Sequence, residues 1–260
     1  MISADQVRNF FPPVIRDNPA HQKYMLKEYI QLAILDHLSS TAYIRNLVFI
    51  GGTNLRLIKG IDRFSEDLDF DCKNFSEVEF LEMTESVLLF LHRFGLKAEA
   101  RDKGTGRLRA FRRNIYFPHF LFDLQLTAHR EERFLIKVEC QDQEVEYQAQ
   151  MINIRGCGYY FPFHVPPDQV LCSMKLAALL NRSKGRDFYD AMFLLGQTKP
   201  DYDFLSTRCG IRDFSGLKSA LHGMLSKTNL ANKAMDFEHL LFERRNSQRI
   251  LKFTEFIDTI

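Results

Sequence analysis

Acidic side chains alternate with apolar ones in residues 64–72, which we predict to form a strand. Residues i and i+2 of a strand point to the same face, about 6.5–7 Å apart, so Asp67 and Asp69 project together, with Asp71 in phase. Like charges this close repel by roughly 2 kcal/mol per pair at an effective dielectric of about 20. A divalent cation held by the carboxylate oxygens would offset that repulsion. The spacing therefore predicts a metal site, with a solvated strand face as the alternative.

A glycine turn precedes this strand. Gly51, Gly52 and Thr53 follow an apolar stretch at 47–50, predicted to be a buried strand, and open a short helix predicted at 53–59. Backbone N–H groups at a helix N-terminus can bind a phosphate, although a Gly-Gly pair by itself is often only a turn. Metal-binding carboxylates next to a phosphate-binding turn indicate chemistry on a nucleotide.

Two blocks of residues resemble the AbiEii/AbiGii nucleotidyltransferase toxin family, which belongs to the polymerase-β-like nucleotidyltransferase superfamily. The first starts at Gly51 and reads Gly-Gly-Thr-x-Leu-Arg-Leu, followed by Arg-Phe-Ser-x-Asp-Leu-Asp-Phe, which ends at Phe70. The second runs from Lys175 to Asp190 and reads Lys-Leu-Ala-Ala-Leu-Leu-x-Arg-x-Lys-x-Arg-Asp-x-Tyr-Asp. Together the blocks bracket residues 51–190.

The resemblance implies an α+β fold, in which a polymerase-β-like nucleotidyltransferase core with a mixed β-sheet flanked by helices is followed by a helical C-terminal domain. It implies transfer of an NMP from an NTP to an acceptor, with release of pyrophosphate and the help of two Mg²⁺ ions, or of Mn²⁺ instead. It also implies the toxin of a bacterial toxin–antitoxin or phage-defence system. From the resemblance we also expect a cognate antitoxin, as protein or gene partner. The expected acceptor is tRNA or another RNA.

Three carboxylates usually complete the metal site in this superfamily. Asp67 and Asp69 are the first two, and the resemblance gives them catalytic and metal-binding roles. Glu139 is expected as the third, because its predicted strand at 133–140 could pair beside the acidic strand. Asp123 is the rival for that place, and a solvent-facing strand residue is the alternative interpretation of Glu139.

The second block supplies three further site residues. Lys175 lies in an apolar helical stretch, where an ammonium is costly unless it reaches water or an anion. The resemblance implies a catalytic contact with nucleotide phosphates, and the alternative is snorkelling to solvent. Arg182, on the same helical face, is expected to bind the nucleotide or simply to complement the helix dipole. Asp187 is expected to cap the next helix or to orient Lys175 through a charge-assisted hydrogen bond.

Two further groups of residues are candidates for binding a nucleotide or a partner. Arg63 and Ser65 share the predicted strand face of Asp67 and are candidate nucleotide-binding residues, although Arg63 could equally pair with Glu66 or Asp62. A hairpin predicted at 96–117, with its turn at Gly104-Thr105-Gly106, carries a dense basic patch of Arg101, Lys103, Arg107, Arg109, Arg112 and Arg113. The patch indicates a docking surface for RNA or an acidic partner, with a solvated hairpin as the alternative.

Composition places few limits on function. The chain is 45% hydrophobic and 26% charged with a net charge of +2, so any surface for nucleic acid must be a local one. The five cysteines have no zinc-ligand spacing and are expected to be reduced thiols. Because we find neither a signal-peptide pattern nor an apolar run of about 18–20 residues, we expect a cytoplasmic protein that does not contact membranes.

The remaining pattern sets the expected domains. Helices are predicted at 3–10, 20–39 and 76–94, the last opened by a capping box of Ser76 and Glu79. Strands are predicted at 120–127 and 151–155, and the chain is expected to be helical after Pro162 and the pair Pro166-Pro167. We therefore predict a nucleotidyltransferase core with N-terminal helices at residues 1–160, and a helical domain at 161–260 that completes the catalytic cleft.

Two rival functions remain at this point. A small-molecule nucleotidyltransferase of the antibiotic-modifying type would use the same chemistry on a different acceptor. A nucleotide- or RNA-binding module without turnover is the rival outside enzymology. The intact pair of Asp67 and Asp69 argues against that module, because a chain that no longer binds metal has no reason to keep the repulsion.

Overall fold

Five strands form a mixed sheet around the acidic segment in the computed structural model, which describes residues 3–101 and 110–260. They are β1 (Leu47–Ile50), β2 (Leu68–Cys72), β3 (Glu99–Ala100), β4 (Phe111–Tyr116) and β5 (Leu135–Gln141). Their order is β1-β2-β5-β4-β3, with β2 and β5 parallel and the other neighbours antiparallel. The mixed sheet predicted from the resemblance is confirmed, and β2 is shorter than the strand predicted at 64–72.

The two faces of this sheet differ in polarity, as the alternation in β2 predicts. Phe70 is buried and its ring lies 5.9 Å from those of Phe49 on β1 and Phe163. These rings form the centre of the apolar core on one side of the sheet. Asp69 points to the opposite side and stays partly exposed, since neighbouring strand residues alternate between faces.

A two-stranded hairpin supplies Phe163 to this core. It consists of β6 (Gln150–Gly156) and β7 (Tyr159–Val165), with Asn153 opposite Pro162. The strand β7 was not predicted, because its proline suggested a break. A hairpin strand with one unpaired edge accepts proline where no ladder hydrogen bond needs its nitrogen.

Helices of the N-terminal part cover the same core. The helix Gln22–Ser39 is buried around most of its circumference, as expected for a helix with apolar residues on all sides. The capping box of Ser76 and Glu79 is confirmed at the start of Glu77–Arg93. Shorter segments are Ala4–Arg8, Pro13–Arg16, Gly51–Asn54 and Phe120–Asp123, the 3₁₀ turns Pro19–His21 and Ala42–Asn46, and the π-helical turn Leu55–Lys59.

The chain after β7 is helical. Its segments are Asp168–Arg182, Gly185–Leu195, Tyr202–Cys209, Phe214–Leu225, Leu230–Met235 and Phe253–Thr259, with 3₁₀ turns at Glu238–Leu240 and Arg244–Lys252. The predicted helical C-terminal part is confirmed. Within the described ranges 3–101 and 110–260, no helix is both long enough and apolar enough to cross a bilayer.

Contacts between residues divide the chain into two compact units. The first unit comprises Met1–Gly60, Phe64–Glu144 and Gln150–Val165. The second unit comprises Ile61–Arg63, Val145–Ala149 and Pro166–Ile260. The short segment at 61–63 thus belongs to the helical unit, although its neighbours in sequence belong to the sheet unit.

Candidate active site

The register between β2 and β5 brings the predicted metal carboxylates together. Asp69 lies beside Glu139, and Leu68 lies beside Val138 in this parallel pair. Because strand side chains alternate, Asp69 and Glu139 share one face of the sheet. The prediction that the strand of Glu139 pairs beside the acidic strand is confirmed. Asp67, immediately before β2, is joined to this face by contacts of its own side chain.

Two cations of the chain lie among these carboxylates. Lys137 Nζ lies 3.1 Å from Asp67 Oδ2 and 3.3 Å from Glu139 Oε2. Arg112 lies opposite Glu139 on β4 and donates Nε to Oε2 at 2.7 Å and Nη2 to Oε1 at 3.3 Å. We refer to Asp67, Asp69, Lys137, Glu139 and Arg112 as the carboxylate cluster.

The charges of the carboxylate cluster stabilise one another. Burial by itself lowers the pKa of Lys137, but the carboxylates of Asp67, Glu139 and Asp69 outweigh this effect, and the pKa is raised above its ordinary value. Burial by itself raises the pKa of Glu139, but the hydrogen bond from Arg112 and the charge of Lys137 outweigh it, and that pKa is lowered. At neutral pH, Lys137 is therefore a cation and Glu139 an anion.

The glycine turn positions the acidic pair. Gly51 has a φ of +84°, and a Cβ at this position would overlap the carboxylate of Asp69, so glycine meets both a backbone and a space requirement. Thr53 is fully buried and donates its hydroxyl to the backbone carbonyl of Asp67. Gly51 and Thr53 thus contact the acidic residues directly, with the buried Gly52 between them. Their predicted contact with a phosphate stays a prediction.

The other acidic candidates lie elsewhere. Asp71 is 1% exposed and accepts the backbone N–H of Gln143 at 2.9 Å, a contact that fixes the chain after β5. Asp123 is exposed at the end of the short helix Phe120–Asp123. Its predicted position in a strand at 120–127 is wrong, because the chain turns into this helix at His119, whose φ is +55°. Glu139 is the candidate that joins the acidic pair.

The chemistry of the cluster suits a hard divalent cation, since carboxylate oxygens are preferred ligands of Mg²⁺ and Mn²⁺. Across residues 3–101 and 110–260, however, no three His, Cys, Asp or Glu side chains converge in an arrangement ready for a metal. The position of Lys137 gives a physical reason, because its ammonium lies between Asp67 and Glu139. The ligand types fit a metal, and in this arrangement a lysine of the chain pairs with two of them.

A second group of charges lies inside the helical unit. Arg63 donates Nε and Nη2 to the two carboxylate oxygens of Asp190, each at 2.7 Å. Lys175 Nζ lies 2.9 Å from Asp190 Oδ2. Arg63 is 1% exposed, Asp190 0% and Lys175 7%. We refer to these three residues as the buried triad.

The buried triad keeps its carboxylate ionised. Burial by itself raises the pKa of Asp190, but the charges of Arg63 and Lys175 outweigh burial, so the pKa is lowered. Arg63 was a candidate nucleotide-binding residue, with Glu66 and Asp62 as alternative partners, and the structure pairs it with Asp190. A bidentate arginine–carboxylate pair of this kind has the geometry of a strong structural contact.

Asp187 and Arg182 form a separate pair at the start of the next helix. Arg182 donates Nε and Nη2 to Asp187 at 2.9 and 2.8 Å, and Asp187 also accepts the backbone N–H of Lys184 at 3.1 Å. Asp187 thus caps the helix Gly185–Leu195 from its third residue, whereas it was expected at the N-cap itself, a position that Lys184 occupies. The carboxylate that contacts Lys175 is Asp190 rather than Asp187, so the expectation that Asp187 orients this lysine is wrong.

Ser65 lies in the sheet unit and is 8% exposed, with its backbone carbonyl accepting Gln31 Nε2 at 3.3 Å. Its predicted phosphate contact stays a prediction, as do those of Arg63 and Arg182. The bonds of Arg63 and Arg182 to aspartates show that both guanidinium groups have structural partners. Any contact with a nucleotide would have to compete with those partners or add to them.

The described part of the basic patch is paired with acids of the same unit. Arg101 contacts Glu99 at 2.8 Å and lies over the ring of Tyr116, and Arg113 contacts Glu85 at 2.9 Å. Arg112 belongs to the carboxylate cluster. Lys103, Arg107 and Arg109 lie outside the described residues, together with the predicted turn Gly104-Thr105-Gly106. A docking role for the patch stays a prediction.

Two charged residues were missed by sequence reasoning. Lys137 alternates with Glu139 along β5 in the same way that Asp67 alternates with Asp69, so the Lys-x-Glu spacing was a usable signal. Asp190 stood at the end of the second quoted block but received no role. Its partners Arg63 and Lys175 are far from it in sequence or on another helix, and no local pattern indicates such a contact.

A family comparison agrees with this geometry. The sequence model of a family described as "Nucleotidyl transferase AbiEii toxin, Type IV TA system" matches residues 33–212, which is more than half of the 260 residues. The matched range contains every residue of the carboxylate cluster and of the buried triad. A search of the curated proteins found no match.

Solved structures resemble the whole chain in fold. MenT4, described as a nucleotidyltransferase toxin from Mycobacterium tuberculosis H37Rv, has a TM-score of 0.64 at 18% identity, covering 100% of this chain and 91% of its own. JHP933 from Helicobacter pylori has a TM-score of 0.55 at 18% identity, covering 91% and 90%. A putative nucleotidyltransferase from H. pylori has a TM-score of 0.52 at 20% identity, covering 90% and 93%.

Proposed function

Because this chain belongs to the AbiEii nucleotidyltransferase toxin family, we propose that it uses the carboxylate cluster to transfer an NMP group from an NTP to an acceptor. The family establishes the class, a nucleotidyltransferase toxin of a type IV toxin–antitoxin system. The observation that carries the assignment of the site is the placement of Glu139 beside Asp69 in the register of β2 and β5. This register puts a third carboxylate, from a strand distant in sequence, next to the two that are proposed to bind metal.

The reaction breaks one phosphoanhydride bond. The oxygen of an acceptor hydroxyl bonds to the α-phosphorus of the NTP and gives up its proton to solvent. The bond from that phosphorus to the bridging oxygen breaks, and pyrophosphate leaves. Mg²⁺, expected as two ions, or Mn²⁺ in its place, would supply charge stabilisation for the attacking and leaving oxygens. Asp67 and Asp69 would hold the ions, with Glu139 as the third carboxylate.

The chain's own contribution is to hold these carboxylates in one arrangement. Thr53 fixes the backbone at Asp67 through its hydroxyl, and Gly51 leaves the space that the carboxylate of Asp69 occupies. Backbone N–H groups of the same turn are the proposed donors to the triphosphate. In support of this we note that Gly51 lies against Asp69 and that Thr53 contacts the backbone of Asp67. Preorganised ligands of this kind lower the cost of assembling the transition state.

We propose roles in nucleotide binding for residues of the second block and for Ser65. Lys175 is proposed to donate to a nucleotide phosphate, in line with the resemblance, since an ammonium carries three donors and can serve Asp190 and a phosphate together. Arg182 and Ser65 are proposed as further phosphate donors, and Asp187 as the residue that holds Arg182. Asp190 is proposed to set the position of Lys175, which it contacts at 2.9 Å.

The acceptor is proposed to be RNA, with tRNA as the first candidate, and the action to be cytoplasmic growth inhibition or phage defence relieved by a cognate antitoxin. This part rests on the family resemblance. A small-molecule acceptor is the competing proposal.

The acceptor can be tested with each α-³²P-labelled NTP, Mg²⁺ and total bacterial RNA. We expect label in an RNA band, with an equal amount of pyrophosphate released. Pyrophosphate release with unlabelled RNA and a labelled small acceptor would select the small-molecule enzyme. Nucleotide binding without pyrophosphate release would contradict transferase activity under either proposal.

A further inference from the structure

The ammonium group of Lys137 lies between two of the carboxylates that are proposed to bind a divalent metal ion. Its ammonium nitrogen lies within 3.1 Å of Asp67 Oδ2 and 3.3 Å of Glu139 Oε2, so one positive charge bridges two of the three proposed metal ligands. This contact follows from the sheet, because the parallel register that sets Glu139 beside Asp69 also sets Lys137 next to the residue before β2. The lysine is therefore a built part of the cluster rather than a surface side chain that happens to be near.

The two cations of the cluster are held differently. Arg112 grips Glu139 with two nitrogen atoms of its planar guanidinium. Lys137 is a point charge on a flexible stem of four carbons and makes a single contact with each of two carboxylates. A lysine can swing away without breaking a bidentate contact, whereas an arginine in this geometry cannot. Of the two, Lys137 is the cation that can leave.

A divalent ion bound to Asp67 and Glu139 would lie within a few ångströms of this ammonium. Two cations at that separation repel strongly in a partly desolvated site, and both would draw on the lone pairs of the same carboxylates. We propose that Lys137 is a built-in counter-cation of the metal site, which holds Asp67 and Glu139 in the metal-free protein and must leave them when a divalent ion binds. This inference rests on the proposed function, because it concerns the same metal site.

The consequence is a metal site whose affinity is limited by its own lysine. Without Lys137, the carboxylates lose their internal partner, and metal binding no longer has to displace one. Lys137→Met removes the charge while keeping a long apolar stem. Lys137→Arg keeps a charge at the same position. Lys27→Met is the matched control, since Lys27 pairs with Glu66 at 2.9 Å in the same unit but outside the cluster.

The test measures binding of Mn²⁺ alone to the full-length protein, by electron paramagnetic resonance of the free ion. We expect Lys137→Met to bind Mn²⁺ about tenfold or more tightly than the parent, as the loss of one nearby repelling charge predicts. Lys27→Met should stay within about twofold of the parent, which would exclude a general effect of net charge. Lys137→Arg should bind no more tightly than the parent. Equal or weaker binding by Lys137→Met would overturn the proposal.

A second measurement uses the unchanged protein and does not depend on the folding of any variant. Acetylation of lysine amines by an N-hydroxysuccinimide ester is followed by mass spectrometry, with and without saturating Mn²⁺. Release from Asp67 and Glu139 should make Lys137 several-fold more reactive in the presence of Mn²⁺, while Lys27 stays unchanged. Unchanged reactivity of Lys137 would overturn the proposal.

The two experiments separate this inference from the proposed function. If parent and Lys137→Met bind Mn²⁺ equally and the parent transfers nucleotide, only the counter-cation role is wrong. If neither protein binds Mn²⁺, the metal site of the proposed function is wrong, and the counter-cation role is wrong with it.

Discussion

Two groups of opposite charges among the described residues, the carboxylate cluster and the buried triad, differ in their contact with water. In the carboxylate cluster of the sheet unit, the side chains of Asp67, Lys137 and Glu139 are 22%, 29% and 17% exposed. In the buried triad of the helical unit, Arg63 and Asp190 are at most 1% exposed. Partly exposed charges can exchange their partners for a metal or a substrate. Fully buried ones cannot give up a partner without leaving a charge in an apolar interior.

This difference separates function from structure among charged residues that the sequence presents alike. The acidic pair of the carboxylate cluster and all three residues of the buried triad lie in blocks that resemble the same family. Each group contains a carboxylate held by two cations, Glu139 in the carboxylate cluster and Asp190 in the buried triad. The comparison predicts that substitutions in the carboxylate cluster reduce activity while leaving stability nearly unchanged. Substitutions at Asp190 are predicted to reduce stability first.

The largest effect is expected at the acidic pair. Asp67→Asn removes a charge from the metal site and should lower nucleotide transfer by about 10³-fold, in the range found when one preorganised electrostatic contact is lost. The urea midpoint should change little, because a partly exposed ion pair contributes little to stability. Near-normal turnover in this variant would mean that Asp67 does not belong to the site.

Asp190→Asn should have the opposite profile. It removes the buried charge that Asp190 presents to Arg63 and Lys175, and breaking a buried ion pair in this way costs about 3–5 kcal/mol of the free energy of unfolding. Equilibrium unfolding in urea measures this loss. Asp258→Asn is the matched control in the same unit, because Asp258 contacts the cation of Lys218 at 3.0 Å but is exposed, and its urea midpoint should stay close to that of the parent. Equal midpoints for the two variants would contradict the structural role of the buried triad.

The pH dependence of the same variant sharpens this point. Folding lowers the pKa of Asp190, so the ionised group stabilises the fold above its unfolded pKa, about 4. That contribution is lost as the pH falls through the lower folded-state value. The stability difference between parent and Asp190→Asn should therefore be constant at neutral pH and shrink below about pH 4. A difference that grew in acid would show that Asp190 is protonated in the folded protein.

Gly51→Ala tests the space next to Asp69. An alanine at this φ costs about 1–2 kcal/mol, and its Cβ would displace the Asp69 carboxylate, so transfer should fall about tenfold or more. Gly60→Ala is the control, since Gly60 has a φ of +73° but nothing within 4 Å of a Cβ. It should lose similar stability and keep its turnover. Equal turnover of both variants would show that the contact with Asp69 does not matter for activity.

Lys175 gives the smallest expected change. Lys175→Ala should raise the NTP concentration for half-maximal rate by about tenfold, the value of one charge-assisted phosphate contact, and Lys175→Arg should do so less. Mn²⁺ binding to the carboxylate cluster should be unchanged in both. An unaltered dependence on NTP would leave Lys175 as a partner of Asp190 without a role in nucleotide binding.

Local patterns in the sequence predicted much of the sheet unit. The apolar stretch of β1 and the capping box at Ser76 follow from side-chain periodicity and hydrogen-bonding chemistry, which neighbouring residues determine. The alternation in β2 predicted which side chains face the core. The start of β2 was predicted too early because Ser65 is in phase with Asp67 and Asp69, whereas the backbone makes no ladder with a neighbouring strand until Leu68.

The partners in the two groups of ion pairs could not be predicted from local patterns in the sequence. Glu139 was inferred as a neighbour of Asp69 from the family and from a predicted strand, but the intervening Lys137 depends on the register. The partners of Asp190 depend on the packing of helices with the segment at 61–63. The strand β7 was not predicted because Pro162 suggested a break. Whether a proline interrupts a strand depends on whether its nitrogen faces a neighbouring strand or the open edge of the hairpin.

The central claim is that the carboxylate cluster binds the divalent metal on which nucleotide transfer depends. The most direct test measures pyrophosphate release from NTP in the presence of total RNA, for the parent and for Asp69→Asn. Each protein is assayed in Mg²⁺, after removal of the metal with EDTA, and after Mg²⁺ or Mn²⁺ has been restored. We expect release by the parent that stops with EDTA and returns with either metal, and no release by Asp69→Asn in any condition. Release that persists in EDTA, or equal release by Asp69→Asn in Mg²⁺, would contradict the claim.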